Sequence, residues 1–196
     1  MNKIKKKRDS TGLRFAGLAK TGELVFHTSD LANLWGIQNK NTLHKTISRY
    51  VQKGLMYRVY RGMFSITNPR DLNPRYLGIK AIHSLAYISC ETVLYDEGII
   101  NQSPSEIMIV SSLSKHFTIA GNLFRSRRLR DEFLFNSVGI TMKDGVRTAS
   151  LPRAVADMLY FNRRKYFDAE NSGLLKWNEV AEIANALGYM PESKNK

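Results

Sequence analysis

The stretch NTLHKTISRYVQKGLMYRVYRGMF, residues 41–64, changes its hydrophobic period at a single glycine. Before Gly54 the apolar residues recur at spacings of three and four, which predicts a helix with one inward face. After Gly54 the period is two, which predicts a β-hairpin with Arg61 and Gly62 at its tip. The stretch contains five Lys and Arg residues and no acidic residue. The inward face of the helix comprises Leu43, Ile47, Tyr50 and Val51.

The residues before this stretch predict a second helix. HTSDLANLWGI, residues 27–37, offers Thr28 or Ser29 as the N-cap and Gly36 as the stop. A short helix and a brief β-type run precede it. Helix, turn, helix and hairpin in this order are typical of a winged helix-turn-helix domain, which we place at residues 11–68.

The positive charge is concentrated in the first third of the chain. The 196 residues carry a net charge of +13, and residues 1–70 hold 14 Lys and Arg against three acids, a net of +11. A basic arm at residues 1–10 contributes five of these cations, and a solvated tail would explain those alone. The remaining excess favours a polyanionic partner, most often nucleic acid.

The outer face of the helix at residues 41–53 is predicted to enter a DNA major groove, which is about 12 Å wide. Arginine pairs with guanine, and threonine contacts base edges or a thymine methyl. The predicted base contacts are Thr42, Lys45, Thr46 and Arg49. The predicted phosphate contacts are Lys53, Arg58 and Arg61, with Thr28 and Ser29 at a helix N-terminus. The alternative is a solvated helix face or a protein interaction module.

Two prolines in NPRDLNPR, residues 68–75, break both periods and predict a linker at 69–75. Beyond it we expect a C-terminal mixed α/β domain at 76–196, so that the fold class is α+β. Residues 76–100 show two helical patterns, and SEIMIVSS, residues 105–112, predicts a strand. One or two strands follow in 116–135, and helices are predicted from Pro152 and within 175–188.

The sequence contains no common catalytic motif. It lacks a P-loop and the common hydrolase and metalloprotease signatures, and its four histidines have no ligand-type spacing. We therefore predict a non-enzyme without metal or cofactor. A nuclease assembled from distant acids is the alternative, with Glu91, Asp131 and Asp157 as candidates.

The cellular compartment is predicted from what the sequence lacks. No apolar run reaches the roughly 18 residues that span a bilayer, and the N-terminus has no signal-type apolar stretch. The single cysteine, Cys90, cannot form an internal disulfide and is expected to be buried. We expect a cytoplasmic protein with no membrane partner.

The order of four segments resembles the AbiEi family of antitoxins from type IV toxin-antitoxin systems, which act in abortive infection by phage. The segments are KGLMYRVYRGMFSI, YISCETVLYDEGII, SEIMIVSS and ASLPRAVADMLYF, and the likeness covers about residues 23–165. The resemblance implies a repressor that binds inverted repeats in its own promoter. It also implies that the C-terminal domain counteracts a cognate nucleotidyltransferase-like toxin. A stand-alone regulator with a sensing or dimerising C-terminal domain, and a protein adaptor, are the alternatives.

A cluster of arginines stands out in the C-terminal domain. Three interpretations compete: a solvated strand edge protected by its charge, an additional DNA-backbone contact, or a docking surface for the toxin or its nucleic-acid substrate. The first is the default. The cluster comprises Arg125, Arg127, Arg128 and Arg130.

Overall fold

The protein has a mixed α+β fold, as predicted, in two compact units that divide between Leu72 and Asn73. The computed structural model describes residues 10–163, 173 and 175–189. The predicted basic arm therefore lies, except for Ser10, outside the described residues. The division falls within the predicted linker, although that range is partly structured: Pro69–Asp71 forms a 3₁₀ helix and a helix begins at Pro74.

The N-terminal unit contains three helices and a three-stranded antiparallel sheet of order β1-β3-β2. Its order of elements is compatible with a winged helix-turn-helix. The helices are α1 (Ser10–Lys20), α2 (Thr28–Trp35) and α3 (Lys40–Gln52). The strands are β1 (Val25–His27), β2 (Tyr57–Tyr60) and β3 (Met63–Ser65).

The connection between α2 and α3 is set by local chemistry. Gly36 ends α2 in the left-handed region at φ 63°, where glycine carries no steric cost. The side chain of Asn39 caps α3 by accepting a hydrogen bond from the Thr42 amide at 3.0 Å. The rings of Trp35 and Tyr50 lie 5.0 Å apart and join the two helices.

Two details of this unit differ from the sequence predictions. The N-cap of α2 is His27, whose amide donates to Asp30 Oδ2 at 2.8 Å, so Thr28 lies within the helix. The two-residue period of the hairpin is interrupted, because the register between β2 and β3 shifts between Arg58 and Tyr60. The tip at Arg61 and Gly62 is as predicted, and Gly62 has φ 70°.

The C-terminal unit is built on a six-stranded sheet of order β6-β7-β5-β4-β9-β8. Its strands are β4 (Ala86–Ile88), β5 (Ile107–Ser111), β6 (Lys115–Ile119), β7 (Asn122–Arg128), β8 (Ile140–Lys143) and β9 (Val146–Ala149). Its helices are α4 (Pro74–Ile82), α5 (Glu91–Asp96), α6 (Asp131–Leu134), α7 (Leu151–Phe161) and α8 (Trp177–Leu187). None of the helices in the described ranges is long and apolar enough to cross a membrane.

Helices cover both faces of this sheet. On one face α4 packs closely, since a Cβ added at Gly78 would lie 2.5 Å from the ring of Phe124 and 3.0 Å from Ile109. On the other face α7 contacts β4, where the Tyr87 hydroxyl donates to Asp157 at 3.0 Å. The sheet is therefore the middle layer of the unit.

Two features of the sheet were not predicted from the sequence. The short central strand β4 lies between α4 and α5, in a segment where only helical patterns were expected. The β8–β9 hairpin turns at Asp144 and Gly145, both with positive φ, which is the Asp-Gly turn that hairpins favour.

A buried ion pair joins β4, α7 and Tyr189, which lies two residues after α8. Arg153 and Asp157 are fully buried, and Arg153 Nε donates to Asp157 Oδ1 at 3.0 Å. Burial raises the pKa of Asp157, against the lowering effect of Arg153 and of the hydroxyl donors Tyr189, Ser89 and Tyr87. Burial also raises the pKa of both tyrosines, so they stay protonated and able to donate.

Candidate nucleic-acid interface

The outer face of α3 is exposed and basic, and its inner face is anchored in the core. Leu43, Ile47 and Tyr50 are 4%, 2% and 2% exposed, as their spacing predicted. Thr42, Lys45 and Arg49 are exposed on the opposite side. Because its inner face is anchored, α3 presents these side chains on a fixed scaffold.

Thr46 does not belong to this face, so the prediction that it contacts bases is wrong. Its side chain is 8% exposed, and its hydroxyl donates to the carbonyl of Thr42 at 2.8 Å. A threonine can satisfy its hydroxyl on the preceding turn in this way, which allows it to sit at a helix flank facing the core. The spacing is consistent with this side, since Thr46 lies three residues after Leu43 and four before Tyr50, and the polar character of threonine misled the prediction.

The predicted phosphate contact of Thr28 at the start of α2 is not supported either. The amide and hydroxyl of Thr28 both donate to the carbonyl of Gly62, at 2.9 and 3.1 Å, which fixes the hairpin tip against α2. Ser29 lies beside Asp30, whose carboxylate already accepts from the His27 amide. Internal acceptors therefore engage Thr28, whereas Ser29 is exposed and its phosphate contact stays a prediction.

The cations of α3 and of the hairpin are available to an anionic partner. All are exposed, and in the described part of the chain no carboxylate oxygen lies within 4.0 Å of any of them. Cations without internal partners can contact phosphates without first breaking an ion pair. They are Lys45, Arg49 and Lys53 at α3, and Arg58 and Arg61 in the hairpin.

Two grooves flank α3, and besides the predicted Arg58 they bring in His44, Ser48 and Gln52, which were not among the predicted contacts. One groove of about 510 Å³ lies between α2 and α3, and one of about 320 Å³ lies between α3 and the hairpin. His44 lines both, and Ser48, Gln52 and Arg58 line the second. The helical spacing of Lys45, Ser48 and Gln52 was the signal that places them on one face.

The arginines of β7 do not lie on an edge strand of the sheet. Strand β7 is hydrogen-bonded to β6 on one side and β5 on the other, so the interpretation as a protected edge is wrong. Arg125 and Arg128 are exposed. Arg127 is half-buried, 3.4 Å from Glu91 and over the ring of Phe161, and Arg130 lies 3.5 Å from Glu132.

The three acids considered as candidates for a nuclease site have different environments. Asp157 is fully buried against Arg153, Glu91 is paired with Arg127, and Asp131 is exposed at the start of α6. Across the described residues no group of three or more His, Cys, Asp or Glu side chains could hold a metal ion. Cys90 is fully buried, as predicted, and burial raises the pKa of its thiol.

Comparisons with known proteins support the fold and no more. No protein-family model matches the sequence, and no curated protein matches it. Among solved structures, the protein is similar to the crystal structure of the Rv2827c protein from Mycobacterium tuberculosis, with a TM-score of 0.55 and 10% sequence identity. The match covers 90% of this chain and 71% of that chain. At this identity the likeness shows that the two chains share a fold.

Proposed function

We propose that this protein is a winged-helix DNA-binding antitoxin that represses its own operon and counteracts a nucleotidyltransferase-like toxin. The observation that carries the DNA-binding half is the outer face of α3, where exposed Lys45 and Arg49 stand opposite an apolar face buried in the core. The toxin half rests on the family resemblance of the sequence. The proposal includes no catalytic reaction.

The shape of the N-terminal unit supports insertion of α3 into a major groove. A helix of 13 residues is about 20 Å long, which is sufficient to follow several base pairs. Lys45 and Arg49 lie one turn apart on its exposed side, where each could pair with a guanine edge. Lys53 follows at the helix end, and Arg58 and Arg61 extend the basic surface along the hairpin toward phosphates.

The test of DNA binding is a gel-shift titration on the DNA upstream of the gene, with scrambled DNA as competitor, at low and physiological salt. Lys45→Ala with Arg49→Ala should weaken specific binding at least about 100-fold, because each base contact contributes about 1–3 kcal/mol. Lys20→Ala with Arg70→Ala removes the same charge at exposed positions outside α3 and should keep the preference for the upstream DNA.

The result that would overturn this assignment is a folded K45A/R49A protein that still prefers the upstream DNA as strongly as the wild type. Equal binding of the wild type to both DNAs, collapsing with salt, would show only the attraction of a polycation. Two inverted half-sites should give two successive shifted bands, and a single half-site should give one.

The test of antitoxicity distinguishes the roles of the two units. The full chain, expressed from an unrelated promoter, should restore growth to cells that produce the toxin encoded in the same operon. The K45A/R49A variant should rescue equally well, because the proposal assigns neutralisation to the C-terminal unit. Loss of rescue in a folded K45A/R49A protein would contradict that division of roles.

A second candidate is a stand-alone regulator whose C-terminal unit senses a ligand. The observation that favours it is a groove of about 420 Å³ between α7 and α8, lined by Leu159, Tyr160 and Val180 among others. Its volume is in the range of roughly 300–1,000 Å³ that small-molecule sites occupy. Upstream binding without any rescue of growth would favour this reading over the antitoxin.

A further inference from the structure

The exposed face of α3 carries one long neutral side chain among its cations. The buried residues Leu43, Ile47 and Tyr50 recur at spacings of four and three. The side of a helix opposite to such a stripe repeats with the same period, shifted by two residues. It comprises Lys45, Ser48, Arg49 and Gln52, all of which are exposed. Gln52 therefore belongs to the same face as the two cations, and not to its flank.

The hairpin lies beside this neutral side chain. The groove of about 320 Å³ between α3 and the hairpin is lined by Gln52 from the helix and by Arg58 from β2, whereas Lys45 and Arg49 lie outside it. Along the axis Gln52 is seven residues beyond Lys45, a distance of about 10 Å. Since DNA rises about 3.4 Å per base pair, the two side chains are about three base pairs apart in a groove that α3 follows.

The end of α3 holds Gln52 on a regular helical backbone. The amide of Lys53 donates to the carbonyl of Arg49 at 3.1 Å, and the amide of Leu55 donates to the carbonyl of Tyr50 at 3.0 Å. These bonds close the last turn on both sides of Gln52. Among the residues that the structure describes, none forms a hydrogen bond with its side chain. The amide group is therefore fixed in position and available to a partner.

The chemistry of this amide selects among bases. A glutamine side chain has one carbonyl acceptor and one NH₂ donor side by side. In the major groove adenine presents a matching pair, the N6 donor and the N7 acceptor, so glutamine binds it with two hydrogen bonds. Guanine presents two acceptors, O6 and N7, and the carbonyl of glutamine would be opposed to one of them. Lysine and arginine have the reverse preference, because they only donate.

We propose that Gln52 is a specificity-determining residue, which reads an adenine in the major groove on the hairpin side of the bases contacted by Lys45 and Arg49. This inference rests on the proposed DNA-binding function and deepens it, since it states a base that the operator must contain. Because Gln52 is neutral, its contribution is to the choice of sequence and not to the general attraction of DNA.

The experiment is a gel-shift series at physiological salt on the duplex upstream of the gene, in which each base pair of the half-site that the protein protects is replaced in turn. For the wild type, replacing one A·T pair should weaken binding about 5- to 100-fold, because a bidentate base contact is lost. In Gln52→Ala the same replacement should change the affinity less than about twofold. Replacements at the other positions should act as they do on the wild type.

Two further variants are controls. Gln102→Ala makes the same change at an exposed position of the C-terminal unit and should leave every base preference unchanged. Lys53→Ala, next to Gln52, should weaken binding to all duplexes by a similar factor and lower the salt dependence, because phosphate contacts carry no sequence information. Gln52→Ala removes no charge and should keep the salt dependence of the wild type. Thermal unfolding verifies that the variants are folded.

The outcomes distinguish this inference from the function on which it rests. It fails if folded Gln52→Ala keeps the base preferences of the wild type, or weakens binding to all duplexes by the same factor. It also fails if the relaxed position is a G·C pair. These results leave the proposed function intact when the wild type prefers the upstream DNA. A wild type that binds upstream and scrambled DNA equally would instead overturn the proposed function and this inference together.

Discussion

Arg49 in the N-terminal unit and Arg153 in the C-terminal unit stand on helices of similar length, but their guanidinium groups have opposite surroundings. Arg49 is exposed on α3, and within the described chain no acid lies within ion-pair distance of it. Arg153 on α7 is fully buried and paired with Asp157. It also donates to the carbonyl of Val138 at 2.8 Å and to the hydroxyl of Tyr87 at 2.8 Å.

The difference shows that an arginine counted in the net charge can serve the fold rather than a partner. The charge of Arg153 is neutralised internally, so it adds nothing to the attraction of a polyanion. The cations of α3 and the hairpin have no acid within 4.0 Å among the described residues, and those can attract one. Identical substitutions at the two positions should therefore have different consequences.

The largest expected effect is that of Arg153→Met on stability. Removing one partner of a buried ion pair leaves Asp157 buried and unpaired, which should lower the free energy of unfolding by about 3–5 kcal/mol. Arg49→Met should change it by less than about 0.5 kcal/mol, because this side chain is exposed. Denaturant unfolding measures the first effect, and gel shifts should show lost DNA affinity only for Arg49→Met among folded proteins.

The buried pair offers a further control. In the double variant Arg153→Met with Asp157→Leu no buried charge remains, and part of the lost stability should return. Arg153 also lowers the pKa of Asp157, so its removal raises that pKa further. Asp157 then becomes neutral more readily, and the stability deficit of Arg153→Met should shrink as the pH falls. A deficit that grows with acidity would contradict this account.

The sequence was sufficient where a periodic pattern and a stop residue agreed. The inward face of α3, its end before Gly54 and the hairpin tip at Gly62 follow from spacing and from glycine chemistry. On α8 the buried residues Val180, Ala184 and Leu187 also recur at spacings of four and three. These are local properties, and the surrounding structure does not override them.

The sequence was insufficient where a contact across the fold decides the outcome. Arg153 and Asp157 are four residues apart, which is also the spacing of an ordinary ion pair on a helix surface. They form a buried network because Tyr87 and Tyr189, from distant parts of the chain, donate hydrogen bonds to Asp157. Likewise Arg125 and Arg128 look like the charges of an exposed edge, because the sequence does not show that β7 pairs on both sides.

A smaller effect is expected from adding one methyl group in each unit. Gly78→Ala should destabilise the protein by about 1–3 kcal/mol, because the new Cβ meets the ring of Phe124 at 2.5 Å and forces repacking. Gly17→Ala in α1 places its new Cβ more than 4 Å from the described atoms outside its own helix and should stabilise by about 0.5–1 kcal/mol through helix propensity. Thermal unfolding of the two variants should shift in opposite directions.

This pair of variants sharpens the contrast between a tightly packed helix and an exposed one. If both variants were stabilised, the ring of Phe124 would be able to move away from α4 at little cost. Tight packing between α4 and the sheet would then not explain why residue 78 is a glycine. If both were destabilised, the space around Gly17 would not be open.

The smallest loss of stability concerns the cap that starts α3. Asn39→Ala removes the acceptor of the Thr42 amide and should lower the free energy of unfolding by about 1 kcal/mol. Asn39→Asp restores an acceptor of the same length and should recover most of that stability, while its negative charge near the exposed face should weaken DNA binding. The two variants thus separate the local fold of α3 from its electrostatics. Equal stability of Asn39→Ala and wild type would show that packing of Leu43, Ile47 and Tyr50 alone fixes the helix.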